Sequence, residues 1–227
     1  MAEPALVAWS GGKDSALALR AVLADPTMRV EALLTTVTRE YDRISVHGVR
    51  RSLLQAQVAA LGLPLIEMEI PAACSNETYE ASLAEALSAA RERNGRVRRC
   101  VFGDLFLEDV RRYREERLAP LGMHAIFPLW GQHTGGLARA FLDDGFRAVV
   151  VCVDSTLLAP SFSGRMYDAS FVADLPRSVD PCGENGEFHT FVFDGPIFRR
   201  RVEFSIGERV TRDERFVYTD LVAPSAG

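Results

Sequence analysis

The chain has 227 residues, of which 48% are hydrophobic and 25% charged, and its formal net charge is −5. This composition is typical of a globular protein that is long enough for one large domain or two small ones. The acidic balance argues against a general nucleic-acid binder, and no apolar run approaches the roughly 20 residues of a membrane-spanning helix. With no secretory signal and four well-separated cysteines, we expect a cytoplasmic protein with free thiols that does not enter a membrane.

The first two thirds of the chain alternate between strand and helix patterns. Short apolar runs predict strands over Leu6–Trp9, Val30–Val37, Leu65–Ile70, Val97–Gly103, His124–Phe127 and Ala148–Val153. Helical spacing predicts intervening helices over Asp14–Leu23, Gly48–Leu61, from a cap at Ser75 or Asn76 to Ala90, Phe106–Leu118 and about Gly135–Asp143. This alternation predicts an α/β fold with a doubly wound parallel sheet, because parallel strands need crossover helices.

The last third is less regular. From Asp154 the sequence is rich in loop residues, and two strands with an antiparallel pattern follow, Arg201–Ile206 and Glu214–Leu221, joined around Gly207. A boundary at Pro128–Gly131 divides the chain into a nucleotide-binding domain over residues 1–128 and a smaller substrate-binding domain over 129–227.

A phosphate loop is predicted where the first strand leads into the first helix, at Ser10-Gly11-Gly12-Lys13-Asp14-Ser15. Two glycines let the backbone approach an anion, and the helix N-terminus offers N–H groups and a positive dipole end. The hydroxyls add donors, and Lys13 adds a compact charge suited to phosphate. Lys13 is the only lysine of the chain, whose other cationic side chains are all arginines.

The phosphate loop resembles the Ser-Gly-Gly-x-Asp-Ser loop of the adenine-nucleotide alpha hydrolase superfamily, the N-type ATP pyrophosphatases. That resemblance implies a Rossmann-like nucleotide-binding domain of the HUP type. It also implies that ATP is cleaved between its α and β phosphates, so that AMP passes to a substrate and pyrophosphate is released. We expect Asp14 to help hold Mg²⁺, since this hard cation favours a carboxylate together with phosphate oxygens.

A second group of titratable side chains lies at Asp180-Pro181-Cys182-Gly183-Glu184-Asn185-Gly186-Glu187-Phe188-His189-Thr190-Phe191. We call this stretch the 180–191 segment. Its glycines predict a loop, yet it carries carboxylates, an imidazole and a thiol, which are the groups that a reaction centre uses.

The 180–191 segment resembles the Gly-Glu-Gly-Gly-Glu-Phe/Tyr-Glu-Thr-Phe signature of the diphthine–ammonia ligase family. Three further stretches resemble elements of that family: Phe193–Phe198, Pro128–Gly131 and Gly164-Arg165. The resemblance implies an ATP domain followed by a smaller α/β domain. It also implies amidation of a carboxylate with ATP and ammonia, the acceptor in the family being diphthine on elongation factor 2. Asn185 replaces a family glycine and His189 a family glutamate, so the acceptor is less defined than the ATP chemistry.

The resemblance and the predicted sheet edge together indicate the site residues. We expect the phosphate loop, Gly103 and Asp104 to bind the nucleotide, because ligands of doubly wound folds lie at the carboxyl ends of the strands. The resemblance implies the same of His47, since the family carries a histidine near the nucleotide. We expect Lys13, Asp14 and Glu187 to be catalytic. The acceptor side is predicted to comprise Trp130, Arg165, Glu184, Asn185, Glu187 and His189. Three alternatives stay open: that His47 is a hydrogen-bonded loop histidine, that Asp104 caps a helix, and that Trp130 fills the interface between the domains.

The predicted function is therefore an ATP-dependent ligase that adenylates a carboxylate on a protein or a small molecule and transfers ammonia to it. A tRNA-thiolation enzyme shares the phosphate loop, but the chain has no Cys-x-x-Cys pair and no basic RNA-binding domain. A regulator that binds an adenine nucleotide without turnover is a third interpretation. The sequence leaves open whether the protein forms a homodimer.

Overall fold

The computed structural model of the protein describes residues 2–224. Its strands are β1 (Glu3–Ala8), β2 (Met28–Thr38), β3 (Arg43–Ile44), β4 (Leu65–Ile70), β5 (Arg99–Val101), β6 (His124–Ile126), β7 (Arg147–Asp154), β8 (Met166–Tyr167), β9 (Phe188–Asp194), β10 (Ser205–Arg212) and β11 (Phe216–Val222). Its α-helices are α1 (Lys13–Ala24), α2 (Arg51–Leu61), α3 (Asn76–Arg93), α4 (Glu108–Leu118), α5 (Thr134–Asp143) and α6 (Ala169–Asp174). Short 3₁₀ turns lie at Arg39–Tyr41, Ala119–Leu121 and Pro160–Phe162.

The described chain divides into two compact units. Unit 1 contains residues 2–10, 14–43 and 63–131, and unit 2 contains residues 11–13, 44–62 and 132–224. The middle of the phosphate loop, Gly11–Lys13, thus groups with the later part of the chain. The predicted division into 1–128 and 129–227 stays a prediction.

Unit 1 is built on a mostly parallel sheet with the strand order β3-β2-β1-β5-β6, in which β4 also pairs with β2. The pairs β1–β2, β1–β5, β2–β4 and β5–β6 are parallel. Ala5, Leu6 and Val7 of the central strand are fully buried, as expected of a parallel strand covered on both faces. The predicted α/β fold with a parallel sheet and flanking helices is confirmed.

The core of unit 1 shows why α3 forms where the sequence predicts it. Ser75 caps the helix, accepting a hydrogen bond from the Thr78 N–H at 3.2 Å. The helix buries a stripe at helical spacing, made of Leu83, Ala86, Leu87 and Ala90. This stripe belongs to one apolar cluster with residues of the sheet, among them Leu6, Leu34, Met68 and Cys100.

The strand order reverses at β1, whose neighbours are β2 and β5. Gly103 follows β5 at this point and packs directly against the start of α1. A Cβ added to Gly103 would lie 2.7 Å from the carbonyl of Asp14 and 3.0 Å from the amide nitrogen of Ser15. A glycine is therefore required at this position, because the two backbones lie too close for a side chain. This close contact keeps the phosphate loop at the edge of the sheet, where doubly wound folds bind their ligands.

Unit 2 contains an antiparallel sheet with the order β10-β11-β7-β8, in which β9 also pairs with β7. The central strand β7 is buried along nearly its whole length. Its partner β9 carries the end of the 180–191 segment, so that Cys152 pairs with His189 and Val149 with Phe191. The sheet thereby holds His189, one of the predicted acceptor residues, on a strand.

Three expectations for the last third are wrong. Phe188–Asp194 is a strand although its approach is glycine-rich, because it completes the buried sheet beside β7. The first strand of the final hairpin is Ser205–Arg212 instead of Arg201–Ile206. The chain turns at Asp213 and Glu214, which have positive φ, while Gly207 lies at a register shift inside β10. This strand is largely exposed, so no apolar alternation marks it in the sequence.

The contact at Gly103 generates a test of the fold. We predict that Gly103→Ala lowers the free energy of unfolding by about 1–3 kcal/mol, the usual cost of overpacking, because backbone atoms cannot move as a flexible side chain can. The matched control is Gly95→Ala in the same unit, where an added Cβ would meet its nearest atom at 3.9 Å. Urea unfolding of both variants measures the difference, and equal stabilities would contradict the described packing.

Candidate phosphate-binding site

The phosphate loop connects the end of β1 to the first residue of α1. Gly11 has φ +77°, a left-handed conformation that favours glycine. A Cβ at this position would also lie 2.6 Å from Oε1 of Gln57. The left-handed conformation therefore favours a glycine, and an added Cβ would in addition push the end of the Gln57 side chain aside.

Lys13 is a firmly anchored residue of the loop and is 2% exposed. Its backbone N–H donates to Oγ1 of Thr190 at 3.0 Å, and its ammonium donates to the carbonyl of Cys182. The ammonium also lies 5.7 Å from the centre of the Phe188 ring. A buried ammonium needs such partners, since desolvation would otherwise favour its neutral form. All three residues belong to the 180–191 segment, so the two predicted motifs meet within unit 2.

The carbonyl of Gly11 is also bonded, to residues of β9 and α2. It accepts one hydrogen bond from the N–H of Val192 at 2.8 Å and another from Nε2 of Gln57 at 3.0 Å. The loop is thus bonded to β9 on both sides of Gly12. Gly11, Gly12 and Lys13 present their backbone in one fixed arrangement, which is what binding an anion through N–H groups requires.

His47 reaches this site from a strained turn. The preceding Val46 has φ +67°, unusual for a β-branched residue, and the N–H of His47 donates to the carbonyl of Ser45 at 2.8 Å. Nδ1 of His47 lies 3.2 Å from the carbonyl of Thr190. A carbonyl can only accept, so Nδ1 carries the proton and Nε2 of the neutral ring carries a lone pair.

His47 and His189 form a pair, with their ring centres 4.7 Å apart. Burial lowers the pKa of His47 to about 4; the hydrogen bond to Thr190 opposes this shift and the charge of Lys13 adds to it. Burial also lowers the pKa of His189 well below its ordinary value, helped by His47 and Lys13. Both imidazoles are therefore neutral at pH 7, and the charge of the cluster resides on Lys13.

Glu187, predicted to be catalytic, is 2% exposed and is bonded within its own loop. Its carboxylate accepts the N–H of Asp180 at 2.9 Å, the N–H of Asn185 at 3.0 Å and the Asn185 side-chain amide at 2.9 Å. The carboxylate of Asp180 in turn accepts the N–H groups of Cys182 and Glu184. These bonds fix the turn that presents the Cys182 carbonyl to Lys13. A proton-accepting role for Glu187 stays a prediction.

The remaining predicted residues of unit 2 have other neighbours. Arg165 forms an ion pair with Asp174 at 2.6 Å and lies over the ring of Phe162. The Cys182 thiol is buried and donates to the carbonyl of Thr134 at 3.4 Å. Asn185, as described, holds Glu187. The assignment of Arg165 and Glu184 to an acceptor pocket stays a prediction.

In unit 1, Ser10 donates through its hydroxyl to that of Ser15 at 3.3 Å. Both carboxylate oxygens of Asp104 accept hydrogen bonds from Arg114, at 2.6 and 3.0 Å, which gives this side chain a cationic partner of its own. The alternative of a helix cap at Asp104 fails, since α4 begins at Glu108. Trp130 packs edge-on against Phe127, beneath the guanidinium of Arg111.

Among residues 2–224, no group of three or more His, Cys, Asp or Glu side chains is arranged to hold a metal ion. A long apolar helix of the kind that crosses a bilayer does not occur in that part of the chain either.

Two residues that bind the loop, Gln57 and Thr190, were not predicted from the sequence to do so. Gln57 had a detectable signal: helical spacing places it in line with Leu53, Leu54, Ala60 and Leu61, and a polar residue on an apolar face must find a partner. Thr190 had none, because its role depends on the position of β9.

Comparison with known proteins decides the family. Residues 4–125 match the model of the diphthamide synthase N-terminal domain, and residues 133–220 match that of the C-terminal domain. The chain belongs to the diphthamide synthase family. The phosphate loop lies in the N-terminal match and the 180–191 segment in the C-terminal one.

Individual relatives are distant. The chain is 24% identical over 240 residues to a rat protein named diphthine–ammonia ligase, and the match covers 96% of this chain and 86% of the rat protein. Bovine and human proteins of the same name are each 27% identical over 126 residues, covering 53% of this chain and 45% of theirs. The chain therefore spans less than half the length of those two relatives.

The histidine pair predicts a pH dependence. The pKa of His47 is about 4 in the folded chain, below its usual 6.5. Between these two pH values the unfolded chain therefore binds a proton that the folded chain does not. Stability conferred by the neutral ring is therefore present above about pH 6.5 and is lost as the pH falls toward 4.

We expect His47→Asn to show a smaller loss of unfolding free energy than wild type between about pH 7 and about pH 4.5. The variant removes the titrating ring but keeps a side-chain N–H for Thr190. The matched control is His124→Gln, which removes an exposed imidazole of β6. Equal pH slopes for His47→Asn and wild type would rule out the described environment of His47.

Proposed function

We propose that this protein is an ATP-dependent ligase that adenylates a carboxylate, releases pyrophosphate and transfers ammonia to the activated carbonyl. One observation carries the proposal: the ammonium of Lys13 donates to the carbonyl of Cys182, 169 positions away along the chain. The phosphate loop and the 180–191 segment therefore share one buried cation. The names of the rat, bovine and human relatives support the same type of reaction.

In the first step a carboxylate oxygen of the acceptor attacks the α phosphorus of ATP. A bond from this oxygen to phosphorus forms, the bond to the bridging oxygen breaks, and pyrophosphate leaves with the electron pair. Negative charge grows on the phosphoryl oxygens, so the ammonium of Lys13 and the N–H groups of Gly11 and Gly12 would stabilise it. Removing one such preorganised donor typically costs about 3–4 kcal/mol in the barrier.

In the second step the nitrogen of ammonia attacks the acyl carbon, AMP leaves, and the nitrogen loses a proton. Two candidates for the proton acceptor lie in unit 2. Glu187 is the residue predicted from the sequence, and its carboxylate already accepts three hydrogen bonds. His47 offers the lone pair of Nε2, because its Nδ1 donates to Thr190.

Mg²⁺ fits the donor set only as an ion shared with the substrate. The described residues contain no cluster of three or more metal-binding side chains, and Mg²⁺ is commonly held by one or two carboxylates together with phosphates and water. Asp14 is the carboxylate that would hold it. When bound, the ion would neutralise charge on the phosphates.

The acceptor is proposed as a carboxylate, of which diphthine on elongation factor 2 is the example that the relatives' names provide. Asn185 and His189 define this side of the site. Asn185 is engaged with Glu187, and His189 is neutral beside His47. Both of these side chains are neutral, so the cation of Lys13 is the group that would pair with a free carboxylate of the acceptor.

The products of ATP test the reaction. We expect the protein, given ATP labelled at the α phosphate, Mg²⁺, ammonium and a carboxylate acceptor, to produce labelled AMP and pyrophosphate. Formation of ADP and phosphate would refute adenylation. Saturable ATP binding without turnover under any acceptor would instead favour the nucleotide-binding regulator.

Lys13→Arg sharpens the same assay. The guanidinium keeps the charge but is planar and broad, and the space around Lys13 is closed by Cys182 and Phe188. We predict a loss of turnover of about 100-fold or more. The matched control is Arg20→Gln on the exposed side of the same helix. Turnover of Lys13→Arg within a few-fold of wild type would show that the role given to Lys13 is wrong.

A further inference from the structure

Gln57 is a buried polar residue that no part of the proposed reaction uses. It lies on α2 with 0% of its side chain exposed. The rest of the buried face of α2 is apolar, consisting of Leu53, Leu54, Ala60 and Leu61. Burying an amide among such residues costs free energy unless its donors and acceptor are bonded, so its partners indicate why it is there.

Its amide nitrogen bonds to two carbonyls at once. Nε2 donates to Gly11 of the phosphate loop at 3.0 Å and to Val192 of β9 at 2.6 Å. Val192 completes the arrangement by donating its own N–H to the Gly11 carbonyl at 2.8 Å. One side chain thus ties a helix, a strand and the phosphate loop together, and all of these atoms belong to unit 2.

The two donors to Gly11 have a consequence for Gly12. In a trans peptide the carbonyl of one residue and the N–H of the next point in opposite directions. Holding the Gly11 carbonyl toward Gln57 and Val192 therefore fixes the direction of the Gly12 N–H. A flip of this peptide would break two hydrogen bonds and leave a buried carbonyl without them, which is costly.

We propose that Gln57 is a positioning residue, which fixes the Gly11–Gly12 peptide so that the phosphate loop presents its N–H groups to the pyrophosphate portion of a nucleotide. The inference rests on the proposed function, because it assumes that the phosphate loop binds ATP. It adds the residue that holds the loop in its binding conformation. Donors that are already aligned stabilise an anion without first being reorganised.

Gln57→Met tests the proposal, since methionine has a similar length and no N–H group. Inorganic pyrophosphate with Mg²⁺ is the probe, and its affinity is measured by calorimetry on folded protein. We expect binding to be weaker by about tenfold or more, the usual effect of losing an aligned hydrogen bond to a charged group. Gln57→Asn is the second variant: it keeps the amide, but its shorter side chain cannot reach both carbonyls, and we expect a similar loss.

The matched control is Gln55→Met, which changes an exposed glutamine of the same helix and should leave the affinity unchanged. Binding of adenosine, which has no phosphate, separates positioning from general damage. We expect it to stay within about twofold in the Gln57 variants, whereas a loosened site would lose both ligands.

Three results would overturn the inference. Pyrophosphate affinity of either folded Gln57 variant within twofold of wild type would refute it while the proposed function stands. Parallel loss of adenosine and pyrophosphate binding would reduce Gln57 to a structural residue. Failure of the wild-type protein to bind pyrophosphate or ATP would refute the proposed function itself, and the inference with it.

Discussion

The hydrogen bond from the buried ammonium of Lys13 to the Cys182 carbonyl is the interaction on which the rest of the site depends. It requires that the turn from Asp180 to Asn185 be held firmly, which the buried carboxylate of Glu187 does. It also requires that β9 lie beside the phosphate loop, which the bond from Lys13 to Thr190 maintains. A buried ammonium in this position would be strongly destabilising without these partners. The conformation of the phosphate loop therefore depends on the 180–191 segment.

The same cation sets the electrostatics of its surroundings. His47 and His189 are kept neutral by burial and by the nearby charge of Lys13. An entering phosphate would compensate the charge of Lys13 and make protonation of the imidazoles more favourable, since an adjacent anion raises the pKa of a histidine. The site thus combines the positive charge of Lys13 with two neutral imidazoles.

Much of this arrangement follows from the sequence. The order of strands and helices in unit 1 was predictable because each buried parallel strand is an apolar run and each helix carries an apolar stripe. Lys13 was predictable as well: the chain uses arginine for every other cation, and a compact ammonium is hard to replace where it must fit among phosphates. The resemblance placed Lys13 and Glu187 in one site, but the direct bonds from Lys13 to Cys182 and Thr190 were not predictable, since they depend on where β9 lies. Strand β10 was misplaced for a related reason, because an exposed edge strand has no buried face to mark it.

Since Lys13 is the only lysine, protein labelled with ¹⁵N-lysine gives a single backbone amide resonance in an NMR spectrum, that of the N–H bonded to Thr190. We predict that this resonance moves in Thr190→Val, which removes its acceptor, and that ATP with Mg²⁺ shifts it saturably in the wild-type protein. Saturable binding of ATP, shown by calorimetry, that leaves the Lys13 resonance unmoved would contradict the claim that the nucleotide binds at this residue.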